Sequence, residues 1–292
     1  MAWSRRSPPR SVDPGGTVFE LMKTGSSYSL STLASFTEGF PLGGLIADAK
    51  GDLFGTTNGD GFNSGTVFEI VKTGNGYAST PTTLVNFGGY GLTNPRGNLI
   101  FDANGNLFGV TQRGGANNDG AVFEIAKTGS GYASTPITLA SFSGANGADP
   151  SGSLIADANG NLFSTTQGGG ANNDGTAFEL VKTGSGYSLT NLVSFTGGAD
   201  GAVPFGGLLL DANGDLFGTT VNGGGANNDG TVFELVNTGS GYSLSTLVTF
   251  TGANGAQPDS LIADANGNLF GTTESVGRIM MAQHSKSPVA VS

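Results

Sequence analysis

The chain of 292 residues has no cysteine and one histidine, His284, near its C-terminal end. Without cysteine there is no disulfide, no thiolate nucleophile and no Cys-based metal site. A lone histidine outside the regular part of the sequence supplies neither the base of a nucleophilic triad nor a His-based metal centre. The sequence therefore excludes most nucleophile-based hydrolases and zinc enzymes.

Charge is also scarce, because Asp, Glu, Lys and Arg make up only 12% of the chain. Between the ends, residues 17–274 contain 7 basic and 21 acidic residues, a net charge of −14. Nucleic acids and anionic membrane surfaces are poor partners for such a body, since phosphate contacts need clustered Lys and Arg. No apolar run has the length of a membrane helix, and the segment MAWSRRSPPR has no apolar core, so we expect no signal peptide there.

What the sequence has in abundance is glycine, 52 residues, and an internal repeat of about 54 residues. Fifteen of the nineteen phenylalanines occupy three repeat positions, and five of the six tyrosines occupy a fourth. Such regular aromatics are expected to pack between neighbouring units. The phenylalanines at the first position, in the phrase LFGTT and its variants, are Phe54, Phe108, Phe163, Phe217 and Phe270.

Each repeat unit predicts four strands, here called a to d. In the third complete unit these are Ser153–Asp157, Asn161–Thr166, Thr176–Lys182 and Tyr187–Phe195. The a–b and c–d connections carry Asn-Gly or Gly-x-Gly, which supply the positive φ of tight hairpins. Units of this kind predict an all-β fold, a β-propeller of four-stranded antiparallel blades.

The two ends of the repeat array are complementary half-units. The chain opens with strands c and d and closes with strands a and b, so four complete blades and one composite blade predict a five-bladed ring. An open or truncated β-repeat array is the alternative. We expect a disordered N-terminal segment at residues 1–16, the propeller at 17–273 and a non-repeat tail at 274–292.

The tail breaks the repeat abruptly, and we hypothesise that it is a frameshifted unit. In a shifted reading frame, Met280-Met281 forces aspartate and Met281-Ala282 forces glycine. The flanking codons permit the rest of the phrase found at Gly169–Glu179. On this hypothesis His284 has no selected function.

The recurring phrases DANGNLFGTT and GTVFEL carry a resemblance to a known family. Across residues 17–273 the chain resembles the bacterial tandem-repeat family called GloVer, or choice-of-anchor tandem repeat, and more loosely NHL-type propeller blades. The resemblance implies a secreted or cell-surface protein and brings no catalytic residues. In propellers of this kind the b–c and d–a loops lie on one face, where ligands usually bind, and the a–b and c–d turns lie on the other.

The best candidate for a binding site is the b–c loop GGANNDG, which occurs three times. Asn and Asp side chains are typical of sugar-binding loops, and the d–a loops Gly144–Pro150 and Gly198–Pro204 are expected beside them. The candidate ligand-binding residues are Asn118, Asp119, Asn173, Asp174, Asn228 and Asp229.

A bound metal or cofactor is not expected, although a weak calcium site at Asp119, Asp174 or Asp229 stays open. The aspartates that begin the a–b turns, such as Asp102, lack the glycine and glutamate spacing of an EF-hand loop, so a hairpin turn explains them.

Catalysis by paired carboxylates has little support in the sequence. The repeated glutamates lie within strand c and are all equivalent, whereas acid–base catalysis needs two carboxylates with different environments. We therefore expect a non-catalytic surface protein with a structural or interaction role, whose partners are surface glycans or another surface protein. A multivalent carbohydrate-binding propeller is the first alternative, and a glycoside hydrolase or lyase is the second.

Overall fold

A computed structural model describes residues 15–37, 39–59 and 64–275 of the chain. The predictions of a disordered segment at 1–16 and of a frameshifted tail fall almost wholly outside these residues. The described part is all-β, with one 3-10 turn at Phe87–Gly89. Within these ranges no helix is long and apolar enough to cross a membrane.

The strands form four complete units between two half-units, as the repeat predicts. The N-terminal half-unit contains β1 (Thr17–Thr24) and β2 (Ser27–Ser35). Unit one contains β3 (Ile46–Ala47), β4 (Leu53–Thr57), β5 (Thr66–Ile70), β6 (Lys72–Thr73), β7 (Gly76–Tyr77) and β8 (Thr82–Asn86). Unit two contains β9 (Leu92–Phe101), β10 (Leu107–Gly114), β11 (Ala121–Ile125), β12 (Lys127–Thr128), β13 (Gly131–Tyr132) and β14 (Ile137–Ser141).

The second half of the array continues the same order. Unit three contains β15 (Ala148–Pro150), β16 (Ile155–Ala156), β17 (Leu162–Gly168), β18 (Thr176–Thr183) and β19 (Gly186–Ser194). Unit four contains β20 (Ala202–Pro204), β21 (Leu209–Leu210), β22 (Leu216–Asn222), β23 (Thr231–Asn237) and β24 (Tyr242–Thr249). The C-terminal half-unit contains β25 (Ala256–Ala263) and β26 (Leu269–Ser275). Every strand pair is antiparallel, in the order a-b-c-d within each complete unit.

Strand a departs from a single continuous strand in units three and four. It is divided into β15 and β16 in unit three and into β20 and β21 in unit four, whereas β9 and β25 run through the equivalent prolines, Pro95 and Pro258. In units one and two, strand d begins only after Pro81 and Pro136, and the residues before each proline form a separate small hairpin with strand c. The unit therefore has a constant middle and variable edges.

The core between units is built on one repeated aromatic contact. The strand c phenylalanine of each unit packs against the strand d phenylalanine of the unit before it, with ring centroids 5.0 Å apart for Phe142 and Phe178 and for Phe195 and Phe233. In units one, two and four the same ring lies over a glycine of its own strand b, whereas Ser164 takes that position in unit three. A Cβ atom on Gly109 would lie 2.6 Å from Cζ of Phe123, closer than two carbon atoms can pack.

The two half-units do not form the composite blade in this structure. β1–β2 and β25–β26 are separate two-stranded sheets, so closure and the number of blades are not confirmed. Val18 and Ala34 of the N-terminal half-unit pack against unit one, but Phe19 is 58% exposed, whereas its counterpart Phe123 is fully buried. At the other end Phe270 is 52% exposed. Each end therefore presents the apolar face that a complete unit buries.

Replacing Gly109 by alanine is expected to lower the free energy of unfolding by about 1–3 kcal/mol, because the added methyl group displaces the Phe123 ring. Gly129→Ala is the matched control, since a Cβ there meets no atom within 4 Å. Urea unfolding followed by circular dichroism measures both variants. Equal stability of the two would show that the phenylalanine–glycine contact is not tightly packed.

Candidate functional site

The five inner segments of the array meet at one place. In each unit the segment begins with a repeated proline, at Pro41, Pro95, Pro150, Pro204 and Pro258. Neighbouring segments are joined directly: the amide of Gly44 donates to Oδ1 of Asn98 at 2.5 Å, and the amide of Asn98 donates to Oγ of Ser153 at 2.9 Å. The Oγ1 of Thr219 in unit four donates to the carbonyl oxygen of Asp259 in the C-terminal half-unit.

These segments enclose a cavity of about 260 Å³. Its lining includes the residue that directly follows each repeated proline, and that residue differs in every unit. The five residues are Leu42, Arg96, Ser151, Phe205 and Asp259. Asn98, Ser153 and Ser260 also face the cavity. A constant framework therefore presents one apolar, one basic, one hydroxyl, one aromatic and one acidic side chain to a common space.

Several cavity groups have unused binding capacity. The Oγ of Ser151 is buried and has no hydrogen-bond partner, which is unusual for a buried hydroxyl. Nε of Arg96 donates to Oε1 of Gln112 at 3.3 Å. Phe205 is 45% exposed. A ligand with hydrogen-bond acceptors and an apolar ring face can use Arg96 and Phe205.

The backbone leading to the cavity is strained. The residue before the repeated proline has a positive φ in four successive units, at Asn94 (57°), Asp149 (53°), Val203 (56°) and Gln257 (56°). A left-handed conformation costs a β-branched residue such as Val203 roughly 1–2 kcal/mol. Strain of this kind concentrates at functional sites, where the surrounding structure holds it in place.

The GGANNDG loops hold these strained residues. The carbonyl oxygen of Asp174 accepts from the amide of Val203 at 2.8 Å, and Asp119 and Asp229 bind Asp149 and Gln257 in the same way. The structure thus places the three loops beside the segments that lead to the cavity, which is the face expected for them. The aspartate side chains are half-buried.

The asparagines of the same loops are exposed but engaged within the loop. Oδ1 of Asn173 accepts from the amide of Gly169 at 3.1 Å, while Asn173 itself has a φ of 63°. Asn118 and Asn228 make the equivalent hydrogen bonds to Gly114 and Gly223. The six predicted residues thus lie in three separate loops rather than in one cluster, and their role in binding stays a prediction.

The opposite face carries the acidic turns. Oδ1 of Asp102 accepts from the amides of Asn104 and Asn106 at 2.9 Å, which confirms the hairpin-turn interpretation. Burial and the nearby Asp102 raise the pKa of Glu124 on strand c, and Lys182 opposes them. In the described part of the chain no three His, Cys, Asp or Glu side chains are grouped closely enough to hold a metal ion.

The predicted site residues include none of the five side chains that follow the repeated prolines in the cavity. The signal that could have found them is variation: the residue after the repeated proline changes in every unit while the proline stays.

The repeat units match the family model of the Gloeobacter/Verrucomicrobia repeat over residues 76–281, more than half of the chain. The chain belongs to this family. The family membership confirms the resemblance drawn from DANGNLFGTT and GTVFEL. No curated protein sequence matches the chain.

Several solved structures are similar to the chain over most of its length. The PQQ-bound aldose sugar dehydrogenase from Streptomyces coelicolor has a TM-score of 0.53 and 12% identity, with 90% of this chain and 83% of that chain covered. A glucose dehydrogenase from Thermus thermophilus scores 0.49 at 15% identity, covering 86% and 84%. An α-L-arabinanase from Penicillium chrysogenum scores 0.46 at 14% identity, covering 81% and 75%.

The prediction of a non-catalytic structural protein is corrected by the likeness to the aldose sugar dehydrogenase. At 12% identity that likeness shows a shared fold, and the protein that shares it is an enzyme. The five cavity residues that follow the repeated prolines differ from unit to unit, so they form no motif in the sequence.

Val203→Asn is expected to raise the free energy of unfolding by about 1 kcal/mol, because asparagine adopts the left-handed conformation more easily than valine. Asn94→Val, the reciprocal change at the same place in unit two, is expected to lower it by about the same amount. Urea denaturation of both variants measures the effect. Opposite signs from those stated would show that the backbone here is not left-handed.

Proposed function

We propose that this protein binds a saccharide in the cavity at the centre of the units, as an enzyme-like propeller acting on carbohydrates. The observation that carries the proposal is the varied set of side chains, Leu42, Arg96, Ser151, Phe205 and Asp259, on an otherwise repeated framework. A packing role would favour the same residue in each unit. Recognition of an asymmetric ligand requires different ones.

The chemistry of the lining supports a sugar as the ligand. Phe205 offers an exposed aromatic face to the C–H side of a pyranose ring, and Asp259 can accept hydrogen bonds from hydroxyl groups. The cavity volume of about 260 Å³ is just below the usual range for small-molecule sites, roughly 300–1,000 Å³. Such a space suits one sugar unit, with the GGANNDG loops beside it as a wider binding surface.

Asp259 is the group we propose for proton transfer. It is the one carboxylate among the described cavity-lining residues. Glycoside hydrolysis by the usual route needs a pair of carboxylates about 5–9.5 Å apart. The described cavity offers no such pair, so saccharide binding is the better supported function, and hydrolysis or elimination is a second candidate to be measured.

Phe205→Ala is expected to weaken saccharide binding at least about tenfold, through loss of the aromatic surface. Tyr90→Ala is the matched control, since Tyr90 is also an exposed aromatic residue but lies away from the cavity. A glycan array identifies the ligand, and isothermal titration calorimetry measures the affinity. The same saccharides are incubated with wild type and Asp259→Asn, and sugar release is followed by a reducing-end assay and mass spectrometry.

Binding to no glycan would contradict the proposed function. So would equal affinity in wild type and Phe205→Ala, because the ligand would then occupy another site. Turnover that is lost in Asp259→Asn, with binding retained, supports the catalytic role of Asp259. Turnover unchanged in that variant excludes this role.

We also propose that the two half-units complete a fifth blade. Phe250, Leu261 and Gly271 line an apolar cavity of about 360 Å³ between β24 and β26. Their counterparts one unit earlier, Phe195 of unit three and Leu208 and Gly218 of unit four, hold the ring of Phe233. The cavity therefore has the lining that a strand c phenylalanine needs, and Phe19 of β1 is the exposed residue at that repeat position.

A disulfide test exploits the absence of cysteine. In unit one Phe54 faces Glu69, so closure places Phe270 opposite Glu20. The double variant Glu20→Cys/Phe270→Cys is expected to form an intramolecular disulfide under mild oxidation and to remain monomeric. Non-reducing electrophoresis and mass spectrometry detect it.

The two single variants, mixed and oxidised, are the control and are expected to give little covalent dimer. Covalent dimers formed from that mixture would show that β26 pairs with β1 of a second copy. That outcome, or no disulfide at all, contradicts closure within one chain.

A further inference from the structure

We infer that the saccharide taken by the central cavity carries a carboxylate, as a uronic acid does, and that Arg96 recognises it. This inference rests on the proposed function and adds the class of ligand. Arg96 is the one basic side chain among the described residues that line the cavity. It lies on the long inner strand β9 of unit two and directly follows the repeated Pro95.

The arginine is oriented but not neutralised. Its Nε donates to Oε1 of Gln112 on the neighbouring strand β10, which fixes the plane of the guanidinium group. Among the described residues, Gln112 is the one hydrogen-bond acceptor for Arg96, and the Gln112 side chain is uncharged. The guanidinium therefore keeps its full charge and its terminal N–H groups for a ligand. A planar fork of this kind pairs with a carboxylate through two parallel hydrogen bonds.

The surrounding groups fit the remainder of a uronic acid. Asp259 can bind ring hydroxyls, and Phe205 can cover a ring face. A neutral sugar would leave the charge of a half-buried arginine without a counter-ion, which disfavours its binding in comparison with the acid. Arg96 thus distinguishes an acidic sugar from the neutral sugar of the same stereochemistry.

The net charge of the whole molecule affects how an acidic sugar is attracted. The chain has a formal net charge of −10, so its long-range field repels an anion. Attraction of an acidic sugar must then come from a local contact rather than from the surface as a whole. A half-buried pair in a cavity is also less screened by salt than an exposed one.

The test compares matched pairs of acidic and neutral saccharides: galacturonate with galactose, glucuronate with glucose, and mannuronate with mannose oligomers of equal length. Isothermal titration calorimetry is carried out on the full chain at 0.15 M salt. For the pair that binds, the acidic member is expected to bind at least about tenfold more tightly, the scale of one charge-assisted bidentate contact.

Three variants assign the preference to one residue. Arg96→Gln is expected to reduce it to about twofold or less, and Arg96→Lys to keep part of it, because lysine retains the charge but not the planar fork. Arg113→Gln is the matched control: it removes the same charge from an exposed position in the same unit and is expected to keep the full preference. Circular dichroism and thermal unfolding establish that each variant is folded.

Each outcome bears on a different statement. Tighter binding of the neutral member, or a preference that survives in Arg96→Gln, overturns the assignment of an acidic ligand while the cavity remains a saccharide site. Equal loss in Arg96→Gln and Arg113→Gln also overturns it, since the effect would then be one of net charge. Binding of neither member of any pair, together with an empty glycan array, contradicts the proposed function itself.

Discussion

The array depends on one repeated contact, in which the strand c phenylalanine packs against the strand d phenylalanine of the preceding unit. In units one, two and four the same ring also covers a strand b glycine. A four-stranded sheet has two apolar faces and cannot bury both alone. Phe142 with Phe178 and Phe195 with Phe233 show how each unit covers its neighbour. Where the neighbour is missing, the same position is exposed, as it is at Phe19. Burial in this fold is thus a property of pairs of units.

That constant packing leaves the inner segments free to differ. The aromatic contacts and the a–b turns hold each unit in place. The residue after the repeated proline is therefore not needed for any contact that all units share. Arg96, Phe205 and Asp259 occupy this position in three different units. The framework brings them to one cavity through hydrogen bonds between neighbouring segments. The repeated residues form the scaffold, and the residues that differ between units line the cavity.

The GGANNDG loops connect the repeated framework to the inner segments that line the cavity. Their asparagines close the loop on itself, and their aspartate carbonyls hold the strained residue that precedes the next unit's proline. The strain at Val203 therefore has a visible support in the Asp174 carbonyl. The backbone of these loops sets the direction in which the inner segments enter the cavity. The carboxylates and amides of the loops remain on the same face as the cavity.

The sequence by itself determined the repeat, the antiparallel four-stranded unit, the aspartate turns and the lack of cysteine. These follow from local patterns, since aromatic spacing and Asn-Gly turns act within a single unit. Tertiary structure alone decided two things. It brought Leu42 and Asp259, more than 200 residues apart in sequence, to one cavity. It also left Phe19 and Phe270 exposed at the two ends. Both depend on how strongly the array curves, which is set by the sum of small angles between packed units rather than by any one segment.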